Sequence, residues 1–273
     1  MNKKLLWAAG LMMTTLLINA QSGDNATLPK KFVKNIIANA DTGDWRGITL
    51  QHDKSNSAYY ATANDLQQVH VLLIVTDPAQ QMKLLRAGME VWLNWKGKNN
   101  TNKATGIKYP LKSEEGFNPS DRQQNPQQGA SHIFKLMLSK KTEMELTGFK
   151  KELNGKHNLV NSSGLKIAIN FTANNVMIYE LSVPYTALSE SVSFNTPVSL
   201  GIVFKAIEQS DFGGGGGRPS GAGGGRPGGG GRPSGAGGPP WAGGGNSGSQ
   251  QRPDFEKMFK ETDIWYKFSL AEK

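Results

Sequence analysis

The segment Gly88–Trp95 reads GMEVWLNW, with Met89, Val91, Leu93 and Trp95 on one side and Glu90, Trp92 and Asn94 on the other. A period of two is what a strand with one buried face imposes; a helix would spread the same side chains around its axis. Other segments repeat the signal. Ser57–Ala63 is small and aromatic, and Val69–Val75 is apolar apart from His70, as in a strand buried on both faces. Leu165–Phe171 and Val176–Val183 flank Asn174-Asn175 and read as a hairpin. Val198–Glu208 reads as a further strand and Ile107–Pro110 as a short edge strand. Helical signals are brief: Ser131–Ser139, a turn at Pro184–Leu188, and Asp254–Lys260 behind Pro253. Lys112–Gln128, rich in Pro, Gln and Asn, reads as a long loop. Strands at this spacing predict an all-β chain, an antiparallel β-sandwich of jelly-roll or immunoglobulin-like form with short helical segments.

The last apolar segment constrains the chain further. Asp263–Ala271 (DIWYKFSLA) sets Ile264, Tyr266, Phe268 and Leu270 against Trp265, Lys267 and Ser269. So apolar a strand needs a sheet to join, yet a Gly/Arg/Pro-rich block separates it from the rest. Of the 33 glycines, 20 lie between Gly213 and Gly248, and the eleven residues Gly214–Gly224 recur unchanged as Gly228–Gly238. Such a composition buries no core. The reading is one sandwich domain over residues 21–273, with a disordered glycine-rich loop at 213–250 inserted before its last strand. Loop-closure entropy tolerates that: going from about 6 to about 36 residues costs about 1.6 kcal/mol.

Residues 1–20 read as a signal peptide: Lys3 and Lys4, an apolar run Leu5–Ile18, then Ala20 before polar Gln21-Ser22-Gly23. The run falls short of the roughly 20 residues of a membrane span. The chain is therefore expected to be exported, to a periplasm or beyond, and not membrane-spanning. It has no cysteine, so disulfides, zinc fingers and thiol nucleophiles are excluded. The net charge of +9 is diffuse, which argues against a nucleic-acid partner.

Signatures of catalysis are scarce. His52, His70, His132 and His157 are scattered, and there is no nucleophile elbow or phosphate-loop ending. His70, on an apolar strand, reads as a hydrogen-bonded core residue. The acidic loop positions Asp41, Asp44, Asp65 and Asp77 are candidates to contribute to calcium binding, but their spacing matches no EF-hand. Glu180, between Tyr179 and Leu181, is expected either in solvent or in a ligand groove. The aromatic residues say more. Trp92 lies opposite the core face of its strand, Trp45 follows the turn Asp41-Thr42-Gly43-Asp44, and Tyr109 precedes a proline. Flat rings beside Asn, Gln, Glu and Arg suit a carbohydrate, whose C–H faces stack while its hydroxyls find polar partners.

The order of several segments resembles the secreted bacterial β-sandwich domains grouped with family 9 carbohydrate-binding modules and the related DOMON-like domains. These segments are Ala40-Asp41-Thr42-Gly43-Asp44-Trp45, then Asn64-Asp65 ahead of a strand ending Val75-Thr76-Asp77. Ala87–Asn94 and Tyr179-Glu180-Leu181-Ser182-Val183-Pro184 follow. The resemblance implies a non-enzymatic domain that binds a carbohydrate or glycan, with structural calcium in some relatives. Trp92 matches one of the two tryptophans that hold a sugar in family 9, and Trp45, Tyr109 and Glu180 complete the expected contacts. No other cofactor is expected. The alternatives are a cell-envelope module that holds a protein partner and, in DOMON-like relatives, haem held by Met and His.

Overall fold

The computed structural model describes residues 36–112, 130–208 and 255–272. The leader, most of the Lys112–Gln128 loop and the glycine-rich block lie outside the described residues.

In chain order the strands are β1 (Gln51–Asp53), β2 (Ala58–Asn64) and β3 (Gln68–Val75). Helix α1 (Pro78–Ala87) then leads to β4 (Met89–Asn94) and β5 (Thr105–Lys108). Helix α2 (Ala130–Ser139) precedes β6 (Glu143–Thr147), β7 (Gly155–Asn158), β8 (Lys166–Phe171), β9 (Met177–Pro184) and β10 (Val198–Phe204). A 3-10 turn at Phe255–Phe259 precedes β11 (Thr262–Phe268). The strands form two sheets, β1-β2-β3-β9-β8 and β11-β10-β4-β5-β6-β7. Every pairing is antiparallel. The fold is an antiparallel β-sandwich with two short helices.

The period-two pattern explains the layering. Val69, Val71, Leu73 and Val75 of β3 and Met177, Tyr179, Leu181 and Val183 of β9 point inward. They meet Met89, Val91 and Leu93 of β4, Leu200, Ile202 and Phe204 of β10, and Ile264, Tyr266 and Phe268 of β11. Burying each large aliphatic side chain contributes about 1.5–3 kcal/mol. β11 pairs with β10 over seven residues, Val198 opposite Phe268 through Phe204 opposite Thr262, so the last strand does complete the sheet.

β3 is buried on both faces for a specific reason. Its outer face carries His70, Leu72 and Ile74, and the chain over residues 36–50 lies across it. Ile36, Ala40, Trp45 and Ile48 form a second apolar cluster there with Ala61, Ala63, Leu72 and Ile178. The centre of the outer face of the five-stranded sheet, over β2, β3 and β9, is thus covered by the protein itself.

Two sequence expectations change. The strand at Ile107–Pro110 is not an edge: β5 is interior, between β4 and β6. Asp77-Pro78 does more than end β3. Asp77 accepts a hydrogen bond from the Ala79 N–H at 3.0 Å and caps α1, with Pro78 in the first turn. Gly88 closes the helix at φ 90°, donating to the Leu84 carbonyl, and a Cβ there would stand 2.7 Å from the Pro110 carbonyl oxygen. No helix of the described residues is long and apolar enough to cross a membrane.

Candidate functional site

The four residues singled out in the sequence fall in three places. Trp45 and Glu180 meet beneath the covering segment. Glu180 is 1% exposed, so it faces neither solvent nor an open groove. Its Oε1 accepts from the Trp45 indole N–H at 2.6 Å, and its Oε2 from the Asn39 and Ala40 N–H groups at 2.8 and 2.7 Å. Burial pushes the Glu180 carboxyl above its usual range, against the pull of those three donors, and Asp44 adds to the rise. The trio latches residues 36–50 onto the sheet. Tyr109 lies in the main core at 3% exposure, with its hydroxyl donating to the Lys141 carbonyl, and burial pushes that phenol up to about 12. A Tyr at an edge would have a free ring face; the interior place of β5 removes it.

Trp92 is on the outer face of the six-stranded sheet, where the alternation of β4 puts it, and the register gives it a partner. Trp265, Gly201, Trp92, Gly106 and Thr147 stand side by side across β11, β10, β4, β5 and β6. Tryptophan and glycine alternate along this rung. A Cβ on Gly201 would lie 2.5 Å from Trp265 Cη2, and one on Gly106 would lie 2.3 Å from Trp92 Cζ3. Each indole therefore lies on the backbone of the neighbouring strand, in space that any side chain would fill. Interior glycine weakens a strand by about 0.5–1 kcal/mol relative to alanine, and it marks close approach. Trp92 is 9% exposed and Trp265 is partly buried; both pack with Ala104 and Val203.

The adjacent rung supplies the polar groups. Asp263, Val203, Glu90, Lys108, Glu145 and Lys156 follow one another across the same sheet. Each indole donates into it: Trp92 to Glu90 Oε2 at 2.9 Å and Trp265 to Asp263 Oδ2 at 3.0 Å. Lys108 pairs with Glu145 at 2.8 Å, and Lys205 reaches Glu261 at 2.5 Å and Glu90 at 3.8 Å. Beyond this rung opens a cleft of about 560 Å³, lined by Gly88, Pro110, Lys112 and the side chains of Glu90, Lys108, Glu145, Lys156 and Lys205. That volume lies in the range of small-molecule sites. The sequence reading did not single out Trp265 or the two glycines. A tryptophan on the outer side of an alternating strand, with glycine in the middle of VSLGIVF, is the signal that points to them.

His70 has a different setting. Its Nδ1 is 2.8 Å from Ser182 Oγ, and its Nε2 is 3.5 Å from Asp65 Oδ2. The three residue types are those of a hydrolytic triad, but the hydroxyl needs a substrate beside it. His70 and Ser182 are 0% and 2% exposed, so the sequence reading of a core histidine holds. Burial lowers the His70 pKa, against the attraction of Asp65. The acidic loop residues are turn and cap groups: Asp41 accepts from Gly43, Asp44 from Ile37, Asp65 from Gln67 and Gln68, and Asp77 from Ala79. They do not converge as calcium ligands, and no group of three or more metal-ligating side chains occurs among the described residues.

No protein-family model matches the chain, and neither does any curated protein. Among solved structures, a family 9 carbohydrate-binding module from Caldicellulosiruptor kristjanssonii in complex with glucose aligns at 10% identity and a TM-score of 0.35. The alignment covers 67% of this chain and 81% of that one. A complex of such a module from the same organism with cellotriose gives the same identity and TM-score over 67% and 80%. Over two thirds of its length the chain is thus distantly similar in structure to a family 9 module.

Proposed function

We propose that this protein is a non-catalytic, exported saccharide-binding domain whose ligand lies along the outer face of the six-stranded sheet. The observation that carries the reading is the rung Trp265–Gly201–Trp92–Gly106, in which two indoles lie on two glycines. Trp265 offers the more open ring for the C–H face of a pyranose. Glu90 and Asp263 hold the indole N–H groups, fixing ring orientation before a ligand arrives. Lys108, Glu145 and Lys156 stand within the neighbouring rung, where sugar hydroxyls find donors and acceptors. Trp45, Glu180 and Tyr109, buried as they are, serve this site through the stability of the sandwich.

Screening the full chain on a glycan array tests the reading. Binding to at least one saccharide class, weakened about tenfold or more by Trp265→Ala, supports it. An array with no bound glycan overturns it. Export belongs to the same proposal: cell fractionation and N-terminal sequencing should recover a chain that starts near Gln21.

A further inference from the structure

In sequence, residues 209–254 separate the end of β10 from the last elements of the fold, yet residues 255–272 dock along their whole length. At the start of the segment Met258 is 1% exposed, and its carbonyl accepts from the Ile207 N–H at 2.9 Å. Lys83 of α1 donates from Nζ to the Lys260 carbonyl at 2.5 Å and to Thr262 Oγ1 at 3.2 Å. That hydroxyl donates in turn to Asn56 Oδ1, just ahead of β2, at 2.6 Å. β11 then runs along the edge of β10 as a seven-residue antiparallel ladder, and Ile264, Tyr266, Phe268 and Leu270 enter the main core. Tyr266 meets Tyr60 of β2 with ring centroids 4.5 Å apart. At the far end Asn64 of β2 clasps the Ala271 backbone, accepting its N–H at 2.8 Å and donating to its carbonyl at 3.0 Å.

This is the pattern of peptide recognition by strand addition: main-chain bonds along a sheet edge supply the hold, and pockets for alternate side chains supply selectivity. The clamps at Lys83 and Asn64 fix the register. A slip of one residue would turn Ile264, Tyr266 and Phe268 outward and Trp265 inward. We infer that residues 255–272 are a built-in peptide ligand of the rest of the chain, docked by recognition of their own sequence and not by the covalent link through 209–254. The outer face depends on that docking, because Trp265 lies over Gly201 only while β11 is in place. The Trp–Gly rung is thus assembled from two pieces, whether or not it holds a saccharide.

A recognition sequence for a sequence-specific protease, inserted between Gly229 and Gly230 of the full chain, lets the link be cut after folding. The two pieces should elute together at about 1 μM, with the mass and tryptophan emission of the uncut chain. A fluorescent peptide 255–273 in excess should then exchange into the cut protein. Ala271→Pro in that peptide removes the N–H that Asn64 accepts, and should weaken its binding about tenfold. An Ile264→Asp peptide, which would bury a carboxylate between the sheets, should not enter. Both changes lie in the peptide, so neither can unfold the acceptor. Pieces that separate at that concentration without denaturant would overturn the inference, and so would an Ile264→Asp peptide that exchanges as well as the native one.

Discussion

Gly201→Ala places a methyl group where the Trp265 ring lies. The new Cβ would stand 2.5, 2.6 and 2.7 Å from Cη2, Cζ2 and Cζ3 of that indole. Carbon atoms rest at roughly 3.5–4.0 Å, so the ring must lift by about 1 Å or swing aside. Forcing a group into packed space costs about 1–3 kcal/mol, while replacing a strand glycine with alanine returns about 0.5–1 kcal/mol. The single variant should therefore lose about 1–2 kcal/mol of stability. In a Trp265→Ala background the clash is gone, and the same change should be neutral or stabilising. The coupling between the two sites is then about 2 kcal/mol, well outside the scatter of independent sites. Urea denaturation of the wild type, both single variants and the double variant measures it. Tryptophan emission should shift to the red in Gly201→Ala as the ring enters water. Additive effects, or equal costs in both backgrounds, would refute the claim that the indole rests on that glycine.

Other consequences concern the rest of the molecule. Glu180→Ala orphans three donors at a buried site and should cost about 3–5 kcal/mol, with protease cleavage appearing within residues 36–50. Lys83, fully buried on α1 with its ammonium on the Lys260 carbonyl and Thr262 hydroxyl, is lowered from 10.5 to about 8 by desolvation, against the attraction of Glu261. Between about pH 8 and 9.5 the unfolded chain binds more protons at this site than the folded one, so Lys83 should add about 1–2 kcal/mol of stability there, an increase offset as pH nears 10 by the phenols of Tyr60, Tyr109, Tyr179, Tyr185 and Tyr266, all pushed up by burial. Lys83→Met should flatten that rise in denaturant midpoints measured across the range. Deleting Gly213–Gly248 and joining the ends by a short turn should leave a cooperative melt no lower than the parent's, because β10 and β11 are held to each other by a seven-residue antiparallel ladder. A non-cooperative melt would contradict the single-sandwich reading.

The architecture was legible because alternation identifies a strand and its buried side at once. Gly88–Trp95 and Asp263–Ala271 both present the inner faces that their periodicity predicts. What the sequence obscured depends on pairing and cover. α1 was overlooked because PAQQMKLLRA has too few apolar residues for an amphipathic face, although Asp77-Pro78 and Gly88 bracket it as cap and stop. β7, GKHN, owes its existence to its ladder with β6 and carries no apolar signal of its own. Glu180 looked like a surface or groove residue because its partners lie about 140 positions away, at Asn39, Ala40 and Trp45. The Trp–Gly rung stayed hidden for the same reason. Trp92 and Trp265 are neighbours through Gly201, and only the strand register brings them together.

In this reading the ligand meets the outer face of the six-stranded sheet and not the part of the other sheet that residues 36–50 cover. Nitrogen–proton correlation spectra of the labelled protein report it directly, since each tryptophan indole N–H gives its own signal, assignable by single substitution. On titration with a saccharide found to bind, the Trp265 and Trp92 signals should move together, and that of Trp45, held by Glu180, should stay in place. Movement of the Trp45 signal with Trp265 and Trp92 unchanged would contradict the account.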